Sequence, residues 1–217
     1  NNKTILVDAG RLQGKNNNSA SSIILPYLKV NGITSLDLMV LTHPDTDHIG
    51  GSVDVLKNIK VNKLVTNGEK ANNKIYLKLE NLIKQENINE NKITGLKEIS
   101  PDETVSIVAF KPSNTNKNSQ NDTSIILLIK YKDFDGILMG DNEINSYKML
   151  KNNLNPSGEI ELLKLGHHGS KRSINEKMSK LISPKVSVIS VGENSYGHPT
   201  PKALYALRKS KIYREFL

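Results

Sequence analysis

Apolar and polar positions along this chain follow two different periods, and the switches between them mark out its elements. Residues 4–8 predict a strand running into a turn at Gly10. Residues 21–30 predict a helix with Ile24, Leu25 and Leu28 on one face, Pro26 being tolerated in the first turn. Residues 36–42 read as one buried strand that stops at His43-Pro44, after which Gly50-Gly51 opens a helix carrying Val53, Leu56 and Ile59. A strand at 61–66, a helix at 76–86 and strands at 93–99 and 105–110 follow. A polar loop at 111–122 leads into a hairpin built from 124–131 and 137–141, turning at 132–136. The remainder reads as a helix at 143–153, a strand at 160–165, a helix at 175–182, a strand at 186–191 and a last helix at 202–210. No repeat, linker or second-domain boundary is evident, so the pattern predicts a single layered α/β domain over residues 1–217.

Composition narrows the chemistry. The chain has 217 residues and no cysteine, which excludes disulfide frameworks, thiolate metal sites, iron–sulfur clusters and thiol nucleophiles. The longest apolar run, residues 125–129, is a buried strand rather than a membrane span, so no membrane insertion by this chain is expected. No signal peptide is visible. The chain opens on Asn1-Asn2-Lys3 without an initiator methionine, which leads us to expect an upstream segment removed from it. Thirty Lys and Arg against 22 Asp and Glu give a net charge of +8, a balance that favours phosphate-bearing partners. The ordinary reading of that charge is a bias toward Asn and Lys, as in Asn16-Asn17-Asn18 and Asn72-Asn73-Lys74, since the lysines are scattered.

The histidines carry the chemistry. All five (His43, His48, His167, His168 and His198) stand in polar turns after predicted strands or beside Gly and Pro, and none lies on an apolar helical face. Strand ends of α/β sheets are where ligands collect. In His43-Pro44-Asp45-Thr46-Asp47-His48 four metal-capable side chains follow an apolar strand within six residues. A tight turn there points His43 and Asp45 one way and Asp47 and His48 another, offering nitrogen and carboxylate donors to two adjacent cations. A solvated turn in which Asp45 or Asp47 caps the next helix explains neither histidine. Asp141, after Gly140 at the tip of a strand, is placed to bridge two metals, or else to cap the helix beginning at Glu143. Gly166-His167-His168-Gly169-Ser170 offers one ligand and one substrate-facing imidazole, with the choice between them open. His198, in Tyr196-Gly197-His198-Pro199, is a ligand or a proton donor to a leaving group. This set suits metal-assisted hydrolysis, with manganese or a mixed site as plausible as zinc because carboxylates are prominent in it.

The segment HPDTDHIGG resembles the HxHxDH signature of the metallo-β-lactamase superfamily, with Asp45 standing for its second histidine. That segment, together with Asn121-Asp122-Thr123-Ser124, Gly140-Asp141, Gly166-His167-His168-Gly169-Ser170 and Tyr196-Gly197-His198-Pro199, more specifically resembles the hydrolase-like domain of ComEC-type DNA-internalisation competence proteins. The resemblance runs from Leu6-Val7-Asp8-Ala9-Gly10 over essentially the whole chain. It implies an αββα sandwich, two divalent metals (zinc or manganese), His43 and Asp45 on one, Asp47 and His48 on the other, Asp141 bridging, and His167 or His168 completing the set. It also implies an extracytoplasmic location and relatives fused to a membrane channel. There are two departures. No histidine lies between His48 and His167, so one metal site is expected to be weak. The family's additional first strand is missing, which leaves an edge that a neighbouring chain would cover.

Fold does not fix substrate. The first reading is a phosphodiesterase or nuclease acting on DNA. Asp47 orients the attacking water, and His198 or the non-ligating member of His167/His168 protonates the leaving oxygen. Lys164, Lys171 and Arg172 hold phosphates, Ser170 and Ser173 donate hydrogen bonds to them, and Asn121 and Ser124 also contact substrate. With 5% aromatic residues and no Trp, backbone contact is expected rather than base stacking. The second reading keeps the site but takes a phosphorylated cell-wall or lipid component or a small ester. The third is a catalytically weak DNA-binding module on the same scaffold.

Overall fold

A computed structural model describes residues 3–12, 17–112 and 120–215. The middle of the predicted polar loop, 113–119, lies outside the described residues. The chain divides after Thr94 into two compact units, a division that no Pro- or Ser-rich linker announces.

The first unit runs β1 (Ile5–Val7), α1 (Leu25–Val30), β2 (Ser35–Leu36), β3 (Leu38–Leu41), α2 (Thr46–Ile49), α3 (Ser52–Asn58), β4 (Lys60–Val61), β5 (Leu64–Thr66), α4 (Lys74–Gln85) and β6 (Glu90–Lys92). Strands β1, β3, β5 and β6 form a sheet in the order β1-β3-β5-β6, parallel throughout, while β2 and β4 pair separately. Every residue of β3 is buried, as a parallel strand flanked on both sides requires. Met39, Leu41, Ile49, Val55, Leu64 and Leu79 pack together around it.

Four details differ from the sequence expectation. The predicted strand at 36–42 is two strands, because the Asp37 carboxylate between them accepts the Thr4 amide at 2.9 Å. Asp47 and His48 lie in a short helix, α2, rather than in a turn alone. The helix before Asn31 begins as a π-turn, Ala20–Ile24, and enters α-geometry just ahead of Pro26, whose missing N–H cannot support a regular ladder. Finally, β6 is a strand of three polar residues that ends just before the predicted strand at 93–99, held in part by Thr66 Oγ1 donating to Glu90 Oε1 at 2.7 Å.

The second unit runs β7 (Leu96–Glu98), β8 (Ser106–Phe110), β9 (Ile126–Tyr131), β10 (Phe134–Leu138), α5 (Tyr147–Asn153), β11 (Leu162–Lys164), α6 (Glu176–Ile182), β12 (Val186–Ser190), α7 (Pro201–Ala206) and β13 (Lys211–Glu215). All seven strands form one sheet, ordered β13-β12-β11-β10-β9-β8-β7. Pairing is antiparallel from β7 to β10 and parallel from β10 to β13. Strand β10 is therefore the switch strand, and the residues leaving its C-terminal end share an edge with those leaving β11 and β12. The hairpin turns on Lys132-Asp133 alone, Tyr131 pairing with Phe134. Strand β13 lies beyond the last predicted element. Phe110, Ile126, Leu128, Ile137, Leu163, Met178 and Ile189 are among the core residues. Among the described residues, no helix is long and apolar enough to cross a membrane.

Candidate metal centre

In the first unit the site is built at the C-terminal ends of β1 and β3. Asp8 leaves β1 with a φ of 62°, a left-handed conformation that turns its carboxylate toward the neighbouring strand end. There it accepts the Thr42 amide at 2.7 Å, the Thr42 hydroxyl at 2.9 Å and His48 Nδ1 at 2.7 Å. Burial raises the Asp8 pKa, but the charge and hydrogen bond of His48, together with the Thr42 amide, outweigh it and hold the carboxyl below its ordinary 3.8. An ionised carboxylate only accepts, so His48 carries a proton on Nδ1, and in the neutral imidazole the lone pair falls on Nε2. Thr42 spends its hydroxyl proton on Asp8 and so accepts from His43 Nδ1 at 3.1 Å. His43 is thereby fixed in the same tautomer. One carboxylate sets the proton positions of both imidazoles, directly for one and through a hydroxyl for the other.

The two rings lie 4.1 Å apart between centroids and are buried. Asp45 Oδ2 stands 3.5 Å from His43 Nε2, and Asp47 Oδ2 stands 3.8 Å from His48 Nε2. Asp45 is the N-cap residue of α2, and its carbonyl receives the amides of His48 and Ile49 at 3.0 Å. Gly50 permits the close packing that holds this turn: a Cβ there would stand 2.7 Å from the Gly10 carbonyl oxygen. Beside His43 opens a shallow cleft lined by Leu41, Ile49 and Leu79 together with Glu69, Glu80 and Glu90.

In the second unit the site is built at the ends of β10, β11 and β12. Asp141 follows Gly140, and its amide donates to Ser124 Oγ at 3.0 Å, while the Asn142 side chain donates to the Ser124 carbonyl. After β11, His167, His168 and Gly169 all take positive φ, 46°, 51° and 75°. Gly169 is required there, since a Cβ would meet Pro199 Cβ at 2.7 Å. His168 Nδ1 lies 2.8 Å from the Ser190 carbonyl, which can only accept, so its Nε2 carries the lone pair. Ligand atoms of Asp141 and His168 lie within 4.8 Å of each other.

His167 is held differently. Its Nδ1 lies 2.9 Å from Glu143 Oε1, and Glu143 also accepts from Ser170 Oγ at 3.3 Å and pairs with Arg172 Nε at 2.7 Å. Burial pushes the Glu143 pKa up, but the His167 hydrogen bond and the Arg172 charge override it and hold it below its ordinary value. Asn121 Nδ2 reaches the His167 ring at 3.4 Å. The His198 ring stands 5.8 Å from that of His167. Burial and the charges of His167 and His168 hold His198 below its ordinary 6.5.

Ser124 and Ser170 are buried; the Ser124 hydroxyl accepts the Asp141 amide and the Ser170 hydroxyl donates to Glu143. Arg172 is tied to Glu143, whereas Lys171 is exposed. Sequence reasoning missed Asp8 and Glu143. An aspartate ending a strand and a glutamate opening a helix both have ordinary structural readings, and only the pairing of strand ends gives them a role.

A family model described as Metallo-beta-lactamase superfamily matches residues 1–193. The chain belongs to that superfamily. ComE operon protein 3 of Bacillus subtilis (strain 168) is 30% identical over 196 residues, which cover 88% of this chain and 24% of that protein. Recombination protein 2 of Haemophilus influenzae (strain ATCC 51907 / DSM 11121 / KW20 / Rd) is 29% identical over 215 residues, 97% of this chain and 24% of that protein. The chain thus spans about a quarter of the length of these curated relatives. Among solved structures, the metallo-beta-lactamase fold protein YhfI from Bacillus subtilis superposes with a TM-score of 0.59 at 10% identity, covering 98% of this chain and 84% of that one. The metallo-β-lactamase chain therefore has a superfamily hydrolase fold with histidine and aspartate donors at its strand ends.

Proposed function

We propose that this metallo-β-lactamase chain is a divalent-metal-dependent phosphodiesterase that cleaves DNA, serving as the extracytoplasmic hydrolase domain of a competence protein. The observation that carries the reading is the Asp8 network. It directs the Nε2 edges of His43 and His48 toward the carboxylates of Asp45 and Asp47, and a donor set of two imidazoles with hard oxygens suits zinc or manganese. The proposed ligands are His43, Asp45, Asp47 and His48 from the first unit and Asp141 and His168 from the second. With no histidine between His48 and His167, one of the two sites is the weaker.

Divalent cations, when bound, make water acidic and stabilise charge developing on the attacked phosphoryl group. The protein's own residues do the rest. Asp47 accepts a hydrogen bond from the attacking water and orients it. His167, anchored through Nδ1 to Glu143, delivers a proton from Nε2 to the leaving oxygen. His198, whose ring stands 5.8 Å from that of His167, is the alternative proton donor to the leaving oxygen. Similarity to competence proteins and the net charge of +8 support nucleic acid as the substrate.

The test is cleavage of end-labelled single- and double-stranded DNA by metal-stripped protein re-supplied separately with manganese and zinc, with Asp47→Ala alongside. Metal-dependent cleavage absent from the variant is expected. Two bound metals without DNA cleavage would move the substrate to a cell-wall, lipid or other phosphoester. Absence of both metal binding and cleavage would overturn the reading.

A further inference from the structure

The second unit carries an open surface cleft that none of the chemistry above uses. It lies between the C-terminal ends of α6 and α7, at the turns that lead into β12 and β13. Strands β11 to β13 are parallel, so this cleft opens at their N-terminal ends, while His167, His168 and Ser190 stand at the C-terminal ends of β11 and β12. At about 3.3 Å per residue, the five residues of β12 separate the two edges by roughly 15 Å.

The lining is cationic and rich in hydroxyls. Lys180, Arg208 and Lys209 surround a single carboxylate, Glu176, and Ser179, Ser183 and Ser210 complete the wall. Arg208 is committed: it pairs with Glu176 at 2.8 Å and stacks 4.0 Å over the Tyr205 ring. The hydrogen bond and charge of Arg208, with further help from Lys180 and Lys209, hold Glu176 below its ordinary pKa. One carboxylate thus stands against three cations. Among the described residues, neither Lys180 nor Lys209 has an ion-pair partner within 4.0 Å. A lysine near a helix C-terminus has an ordinary role as partner of the helix dipole, and that accounts for Lys180. It does not account for Lys209, which stands after α7 has ended.

We infer that this cleft is a second phosphate-binding site, in which Lys180 and Lys209 engage the sugar–phosphate backbone of a nucleic acid strand away from the cleavage centre. Lysine contacts of this kind are independent of base sequence and anchor a strand in register. The inference rests on the proposed DNA substrate, and its test is chosen to be independent of cleavage.

Binding of a fluorescent single-stranded 20-mer to the metal-stripped full chain would be followed over a range of salt concentrations. The double variant Lys180→Gln/Lys209→Gln is compared with wild type and with Lys57→Gln/Lys60→Gln, which removes equal charge from the first unit. We expect the cleft variant to bind about tenfold more weakly, with the slope of log affinity against log salt shallower by about 1.4, as the loss of two single-strand phosphate contacts implies. The Lys57/Lys60 control should keep the wild-type slope. Equal losses in both variants, a wild-type slope in the cleft variant, or no binding by wild type would each overturn the inference. Metal-dependent hydrolysis of bis(p-nitrophenyl) phosphate, run in parallel, separates the outcomes. If it persists while the 20-mer does not bind, the phosphodiesterase centre stands and the distal site falls. If the 20-mer binds as expected but no hydrolysis occurs, the distal site stands and the catalytic proposal falls.

Discussion

Both units hold an imidazole by its Nδ1 edge, and they do so by different means. In the first, a titratable carboxylate 40 residues away, Asp8, grips His48 and, through Thr42, His43. In the second, an untitratable backbone carbonyl grips His168, and three consecutive left-handed residues present it. The first arrangement gains strength from charge but depends on that charge persisting. The second is indifferent to pH but depends on a backbone conformation that L-residues rarely adopt.

The largest expected effect is at the exposed donor itself. Asp47→Ala should reduce metal-dependent turnover to background while changing stability by no more than about 0.5 kcal/mol, read from denaturant melts. Wild-type turnover in a metal-replete assay would remove Asp47 from the mechanism. Asp8→Ala should do the converse and damage both stability and the site. Losing the acceptor for a buried charged network costs about 3–5 kcal/mol, and removing the partner of a ligating histidine lowers metal affinity roughly 10–100-fold. Undiminished affinity in a metal titration would mean that His48 is no ligand.

Glu143→Gln sharpens the contrast on the other side. It keeps a hydrogen-bond acceptor for His167 but removes the charge, so turnover should fall about tenfold or more with bound metal unchanged. Loss of a metal equivalent would reassign His167 as a ligand.

The pH response is a further discriminator. Because the folded-state pKa of Asp8 lies below 3.8, its contribution to stability is complete above about pH 4 and is lost as the pH falls through the depressed folded value. Asp8→Asn should therefore flatten the acid limb of the stability profile between roughly pH 2 and 5. An unchanged limb would show that other carboxylates control it.

The smallest effects concern two helix caps, one in each unit. Asn73 accepts the Tyr76 amide at 2.8 Å at the start of α4, and Asn175 accepts the Met178 amide at 2.9 Å at the start of α6. Each Asn→Ala change should cost about 1 kcal/mol. Asn73 should cost slightly more, because its Nδ2 also donates to the Pro44 carbonyl beside His43, at 2.9 Å.

What the sequence revealed followed how strongly each element announces itself. Strands β3, β8, β9, β10 and β12 and helices α4 and α6 were legible because buried apolar residues recur at their own period. Strand β6, composed of Glu90-Asn91-Lys92, carries no such signal, since its place is set by pairing with β5. Strand β13 likewise owes its place to β12. At the site, the histidines and Asp45, Asp47 and Asp141 stood out through their density after apolar strands. Asp8 and Glu143 did not, because their roles exist only once strand ends are brought side by side.

The Asp8–His48 bond also bears on how the molecule matures. It closes a loop of 40 residues and forms only once β1 has docked in register on β3. Before that, protons are free to migrate between the two nitrogens of each ring, so the donor turn has no defined lone pairs to offer. Non-local strand docking is slow compared with helix or turn formation. A nascent or partly opened chain therefore lacks the fixed imidazole orientations of the folded turn, which arrive only when β1 has docked on β3.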